Sequence, residues 1–92
     1  MSKAVALDAT SSQSYLLQGY LRVRQENFTA ALDSFRQASQ LDPTDTTSLC
    51  MTGYVLEKLD RHREATTYYQ KALKIDPADP MATQFMATIS GD

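Results

Sequence analysis

The residues able to do chemistry in this chain are few, and their spacing argues against catalysis. His62 is the single histidine. It stands between Arg61 and Arg63, with no serine or cysteine placed to act as a nucleophile and no second residue to share a metal. One imidazole makes neither a triad nor a zinc site, so His62 reads as a packing or turn residue. Cys50 is the single cysteine. It has no partner for an intrachain disulfide or a thiolate cluster. A reactive thiol would need a cationic neighbour, and a semi-buried, inert one is expected. Neither GxGxxG nor GxxxxGK occurs, so Gly19 and Gly53 belong to no phosphate loop. The Arg61-His62-Arg63 run is too short for a nucleic-acid patch and is balanced in part by Asp60 and Glu64. No pair of carboxylates has a defensible acid–base spacing. The expectation is a chain with no catalytic site, no metal and no cofactor.

The bulk properties point the same way. With 92 residues, 42% hydrophobic and 22% charged, the chain is sized and composed for one ordinary folded unit. A net charge of -2 gives no field to hold a polyphosphate or an anionic membrane, which leaves protein as the expected partner. No stretch approaches the length of a membrane span, and MSKAVALDATSS carries too short an apolar run for a secretory signal. These features predict a soluble, cytoplasmic protein.

The elements that position these residues follow from an internal repeat. Shifted by 34 residues, the sequence pairs Ser14 with Ser48, Gly19 with Gly53, Tyr20 with Tyr54, Ala31 with Ala65, Ala38 with Ala72, Asp42 with Asp76 and Pro43 with Pro77. Phe35 with Tyr69, Arg24 with Lys58 and Glu26 with Asp60 are conservative pairs in the same register. A period of this length marks stacked units that lean on one another. Each unit reads as two helices. Residues 12–25 and 46–59 form the first, or A, helices, and residues 28–41 and 62–75 the second, or B, helices. Ala31, Phe35 and Ala38, and likewise Ala65, Tyr69 and Ala72, recur at three- and four-residue steps and so share one face, the predicted core. The Asp-Pro pairs at 42–43 and 76–77 stop the B helices, because the ring removes a donor and restricts the preceding residue. Asp45 and Asp79 then stand as N-caps, with Pro80 at a first helical position. Gly19 and Gly53 are read as points of close helix approach, opposite the Ala31 and Ala65 faces of their own repeats.

Gly19, Phe28, Ala31-x3-Phe35-x2-Ala38 and Pro43, repeated as Gly53, Ala65-x3-Tyr69-x2-Ala72 and Pro77, make the chain resemble the tetratricopeptide repeat family over residues 12–79. The resemblance implies an all-α fold, with helix-turn-helix repeats stacked as a short right-handed α-solenoid. It divides the chain into a partial B helix or N-terminal tail at 1–11, repeats at 12–45 and 46–79, and a C-terminal capping helix at 80–92. Departures from the family pattern fall at Leu49, Gln18 and Thr52, Arg22 and Leu56, and His62, and they predict weaker A-to-B packing than an idealised repeat has. By the same resemblance the concave groove is lined by Gln13, Leu16, Tyr20, Val23 and Arg24, then Thr47, Cys50, Tyr54, Glu57 and Lys58, then Met81, Gln84 and Thr88. Some relatives clamp a C-terminal carboxylate with basic and amide side chains. The matching positions here, Leu16, Tyr20, Met51, Met81 and Phe85, cannot do so. The expected function is a non-catalytic scaffold or adaptor that docks a peptide in its groove. The alternatives are a small chaperone or secretion-assembly factor, or a self-associating unit. The doubled apolar rows of the last helix, Met81, Phe85 and Ile89 beside Ala82 and Met86, raise the expectation that Phe85 and Ile89 pack on the second A helix while Met86, with Met81, faces outward to contact either a symmetric copy, giving a homodimer through that helix, or a segment of a longer parent protein.

Overall fold

The computed structural model describes residues 11–90 and, for side chains, residues 11–88. The proposed partial B helix at 1–11 therefore lies almost wholly outside the described residues. Five helices follow one another in this region: α1 (Ser12–Arg24), α2 (Phe28–Leu41), α3 (Thr46–Lys58), α4 (His62–Ile75) and α5 (Pro80–Ser90). The B helices have the ends read from the sequence, and the A helices stop one residue earlier.

Each boundary has a local cause, repeated in register. At the A-to-B turns the chain ends each A helix by placing one residue in the left-handed region, Glu26 at φ 59° and Asp60 at φ 63°. The Asn27 amide then donates to the Arg22 carbonyl at 2.8 Å and the Glu26 amide to Val23 at 2.9 Å. Arg61 to Leu56 at 2.8 Å and Asp60 to Glu57 at 3.0 Å repeat the pattern. This is a Schellman closure made without the glycine that usually occupies it. At the B-to-A turns the carboxylates of Asp42 and Asp76 accept from the amides of Thr44 at 3.3 Å and Ala78 at 3.1 Å, which bends the chain through the Asp-Pro step. Asp45 caps α3 by accepting from the Thr47 amide at 3.0 Å, and Asp79 caps α5 by accepting from the Ala82 amide at 2.9 Å.

The helices pair α1 with α2 and α3 with α4 inside the repeats, and α2 with α3 and α4 with α5 between them. The predicted B-helix face is the core: Ala31, Phe35, Ala38, Ala65, Tyr69 and Ala72 are completely buried. The glycines serve this core in a way that differs in detail from the sequence reading. A Cβ at Gly19 would stand 2.4 Å from the Phe35 ring, and one at Gly53 would stand 2.4 Å from the Tyr69 ring. The glycines make room for an aromatic ring rather than for alanine. Thr52, at one of the departures from the family pattern, is also buried, and its hydroxyl donates to the Ser48 carbonyl at 2.7 Å, so no unsatisfied polar group results. His62 is exposed at the start of α4, with Nε2 3.6 Å from Asp60, and has left the packing role that Phe28 keeps in the first repeat.

The expectation for the last helix requires correction. Met86 is half-buried against the cluster that contains Ala65 and Tyr69, and Met81 against the cluster of Leu49, Cys50, Ala72 and Ala82. Met86 therefore does not stand free on an outer face, because α5 lies against both α3 and α4 and spreads its apolar rows over the two. Phe85 packs on α3, as expected, with its ring stacked on Tyr54 at 5.7 Å between centroids.

Candidate functional site

The A helices α1, α3 and α5 present the face on which the groove residues were predicted. Tyr20 lies edge-on to Phe35, 5.6 Å between centroids and 69° between planes, and keeps 38% of its surface exposed. Burial of its inner side, and then the charge of Asp45, push its hydroxyl above the ordinary value of 10.0. One repeat on, Tyr54 lies under the Lys58 ammonium at 5.3 Å and beside Phe85. Tyr54, Glu57, Lys58, Phe85 and Thr88 line an open hollow of about 280 Å³ between α3 and α5. A second hollow of about 290 Å³ on α1 is lined by Gln13, Leu16, Leu17 and Tyr20.

Glu57 is fixed from below. The buried Tyr69 hydroxyl donates to its Oε2, so this lining carboxylate is held by the B helix of the same repeat. Desolvation first, and the bond to Glu57 second, lift the Tyr69 hydroxyl far above its ordinary range. The pair gives the hollow one acceptor positioned by a hydrogen bond from below, beside one exposed cation, Lys58.

Two adjacent segments, residues 12–45 and 46–79, each match the family model described as tetratricopeptide repeat. The chain belongs to the tetratricopeptide repeat family. Among solved structures, the crystal structure of MamA superimposes with a TM-score of 0.82 at 25% sequence identity, covering 90% of this chain. The chain spans 48% of the MamA chain, about half its length. No curated protein sequence matches the chain. Tetratricopeptide repeats build protein–protein interaction scaffolds, which fixes the general class of the surface described above.

Within that scaffold the predicted lining residues divide. Tyr54, Glu57 and Lys58 meet in the cavity between α3 and α5, and Gln13, Leu16 and Tyr20 in the hollow on α1. Arg24 and Gln84 are exposed and line neither hollow, and Val23 is half-buried against the core. Thr47 is half-buried, with its amide on Asp45. Thr88 lines the cavity and donates its hydroxyl to the Gln84 carbonyl at 3.1 Å.

Two positions need correction. Cys50 contributes no groove surface: it is completely buried, and its thiol donates to Asp79 Oδ2 at 3.6 Å. Burial, and then the Asp79 charge, push the thiol from 9.0 up to about 12, so it is neither exposed nor nucleophilic. Met81 turns toward the same buried cluster instead of lining a hollow. Phe85 and Leu17 line these hollows and were absent from the predicted lining, and the buried Tyr69 that holds Glu57 was not foreseen in that role. The register carries a signal for the first two, since positions 17, 51 and 85 are equivalent and apolar throughout. Among the described residues no group of three His, Cys, Asp or Glu is placed to hold a metal ion, and no helix is long and apolar enough to cross a membrane.

Proposed function

We propose that this chain is a non-catalytic docking module that holds an extended peptide segment of a partner protein against α1, α3 and α5. The observation that carries this reading is the cavity of about 280 Å³ walled by the stacked Tyr54 and Phe85 and rimmed by Glu57, Lys58 and Thr88. Its aromatic wall offers contact area from rings that lose little entropy on binding. The fixed Glu57 carboxylate accepts from a peptide amide, and Lys58 reaches a carbonyl or a carboxylate. Tyr20, one repeat away at the equivalent position, extends the same recognition surface to a second stretch of peptide.

Affinity capture from lysate, with a Tyr20→Ala/Tyr54→Ala chain in parallel, tests the reading. Truncating aromatic anchors of this kind costs about 2 kcal/mol or more, enough to lose a micromolar contact. Partners retained by the unmodified chain should be lost by the variant while its far-UV circular dichroism stays unchanged. Equal capture by both chains sinks the proposal.

A further inference from the structure

A third hollow, larger than the two on the A helices, is lined mostly by residues of the B helices. It measures about 520 Å³ and runs between the B helices α2 and α4. Its apolar surface comes from Leu49, Tyr68 and Ile75, the last 44% exposed although it is a large aliphatic side chain. Its polar rim carries Arg36, Lys71 and Lys74, and no carboxylate lines it. Among the described residues these cations form no ion pair. Lys71 instead lies over the Tyr68 ring, 4.9 Å from its centroid. The acid that Arg36 influences is Glu64, and that carboxylate is already taken by Arg61 at 2.6 and 2.8 Å.

This concentration of positive charge stands out in a chain whose net charge is -2. Three unpaired cations around an apolar floor form an electrostatic complement to an acidic segment with a bulky apolar side chain. We propose that the α2–α4 hollow is a second docking site, independent of the A-helix groove, for an acidic peptide that seats an aromatic or aliphatic side chain on Leu49, Tyr68 and Ile75. The peptide carboxylates pair with Arg36, Lys71 and Lys74. Polynucleotide and anionic lipid fit the site less well, because three cations give a small field and the apolar floor contacts neither phosphate chain.

Fluorescence anisotropy with a labelled short peptide of aspartate and glutamate around one phenylalanine tests the site. A control probe has every carboxylate replaced by its amide. Saturable binding of the acidic probe is expected. Lys71→Glu/Lys74→Glu should weaken it by about tenfold or more, as removal of close charge pairs does, and the amide probe should bind about as weakly. Both lysines are exposed, so the variant keeps its fold, which circular dichroism verifies. Tyr20→Ala/Tyr54→Ala should bind the acidic probe as the unmodified chain does, which separates this site from the A-helix groove. Four results overturn the proposal: no saturable binding up to millimolar probe, equal binding by the charge-reversed variant, loss of binding in the tyrosine variant, or tighter binding of oligothymidine or phosphatidylserine vesicles than of the peptide.

Discussion

Gly19→Ala and Gly53→Ala test how the two helices of each repeat close on one another. In the interior of an exposed helix, alanine in place of glycine stabilises by about 1 kcal/mol, because it removes backbone freedom from the unfolded chain. Here the added methyl collides. At Gly19 it would meet three Phe35 ring atoms at 2.4, 2.6 and 2.7 Å, and at Gly53 three Tyr69 ring atoms at 2.4, 2.9 and 2.9 Å. Both rings are completely buried and have no solvent to swing into. Overpacking of this kind costs about 1–3 kcal/mol, so the net effect is a loss of roughly 0–2 kcal/mol instead of a gain. The two sites should differ. Tyr69 is also tied at its far end to Glu57, whereas Phe35 has no hydroxyl and can shift, so Gly53→Ala falls at the costly end of the range and Gly19→Ala at the mild end. Urea unfolding followed by far-UV circular dichroism reads the difference as a change in midpoint at constant slope. Adding Phe35→Leu to Gly19→Ala should recover at least part of the loss, since neighbouring sites in one contact couple by about 0.5–3 kcal/mol. If both alanine variants are more stable than the parent by the propensity gain alone, the rings do not fill the glycine spaces and the reasoning fails.

Alkaline pH should weaken the fold through the buried thiol. Unfolded Cys50 loses its proton near 9.0 and folded Cys50 near about 12, so the unfolded chain binds fewer protons in that window and stability falls as pH rises through it. Urea midpoints measured from pH 8 upward should slope downward in the parent and lose that part of the slope in Cys50→Ala. Asp79→Asn should lower the thiol's proton affinity and loosen α5, since Asp79 also accepts from the Ala82 amide at 2.9 Å and the Thr46 hydroxyl at 3.0 Å. Disulfide-exchange labelling of Cys50 in the native chain should therefore run faster in the variant, and an unchanged rate would rule out the latch. Glu26→Gly should stabilise by about 1 kcal/mol in thermal or urea unfolding, because φ 59° costs a glutamate what glycine does not incur. Asp60→Gly should gain less, since aspartate tolerates the left-handed region better.

Most of the scaffold was legible because its determinants are local or periodic. The Asp-Pro steps, the N-cap carboxylates and the Ala-x3-Phe/Tyr-x2-Ala stripes each act within one turn or one face, and all occur twice in register. The site was less legible because membership of the groove is decided by contacts between distant residues. A helical position that family geometry assigns to the concave face is exposed only if no later element covers it. Cys50 is covered because Asp79 and Ala82 close over it, 29 residues or more along the chain. Met81 joins the same cluster for the same reason. The two apolar rows of α5 leave no bare face at Met86, because α5 touches both α3 and α4, a pairing that residue counts along one helix do not carry.

The repeat register explains how the two halves of the molecule differ although they share one backbone. The space occupied by Tyr69 and Glu57 in the second repeat is occupied at the equivalent positions by Phe35 and Val23 in the first. A hydroxyl–carboxylate pair and a ring–aliphatic pair fill the same place, and either mixed combination would leave a buried donor or acceptor unpaired. The same holds at the next interface. Asp79 receives Thr46 and Cys50 across α3 and α5, whereas the residues one repeat earlier in the register are Ser12 and Leu16, and leucine has no proton to donate. The α3–α5 side is therefore latched by polar contacts. On α1, Leu17 and Leu21 remain 48% and 51% exposed, while Val55, the equivalent of Leu21, is completely buried in the core cluster with residues of α2 and α4. A peptide lying along the A helices would meet a deeper hollow with a hydrogen-bonded carboxylate at Tyr54 and a shallower, apolar surface at Tyr20. On the proposed reading, such a groove would hold one end of its ligand in a set geometry and leave the other end to fit what it meets. Selectivity in this module should therefore be decided at the α3–α5 end.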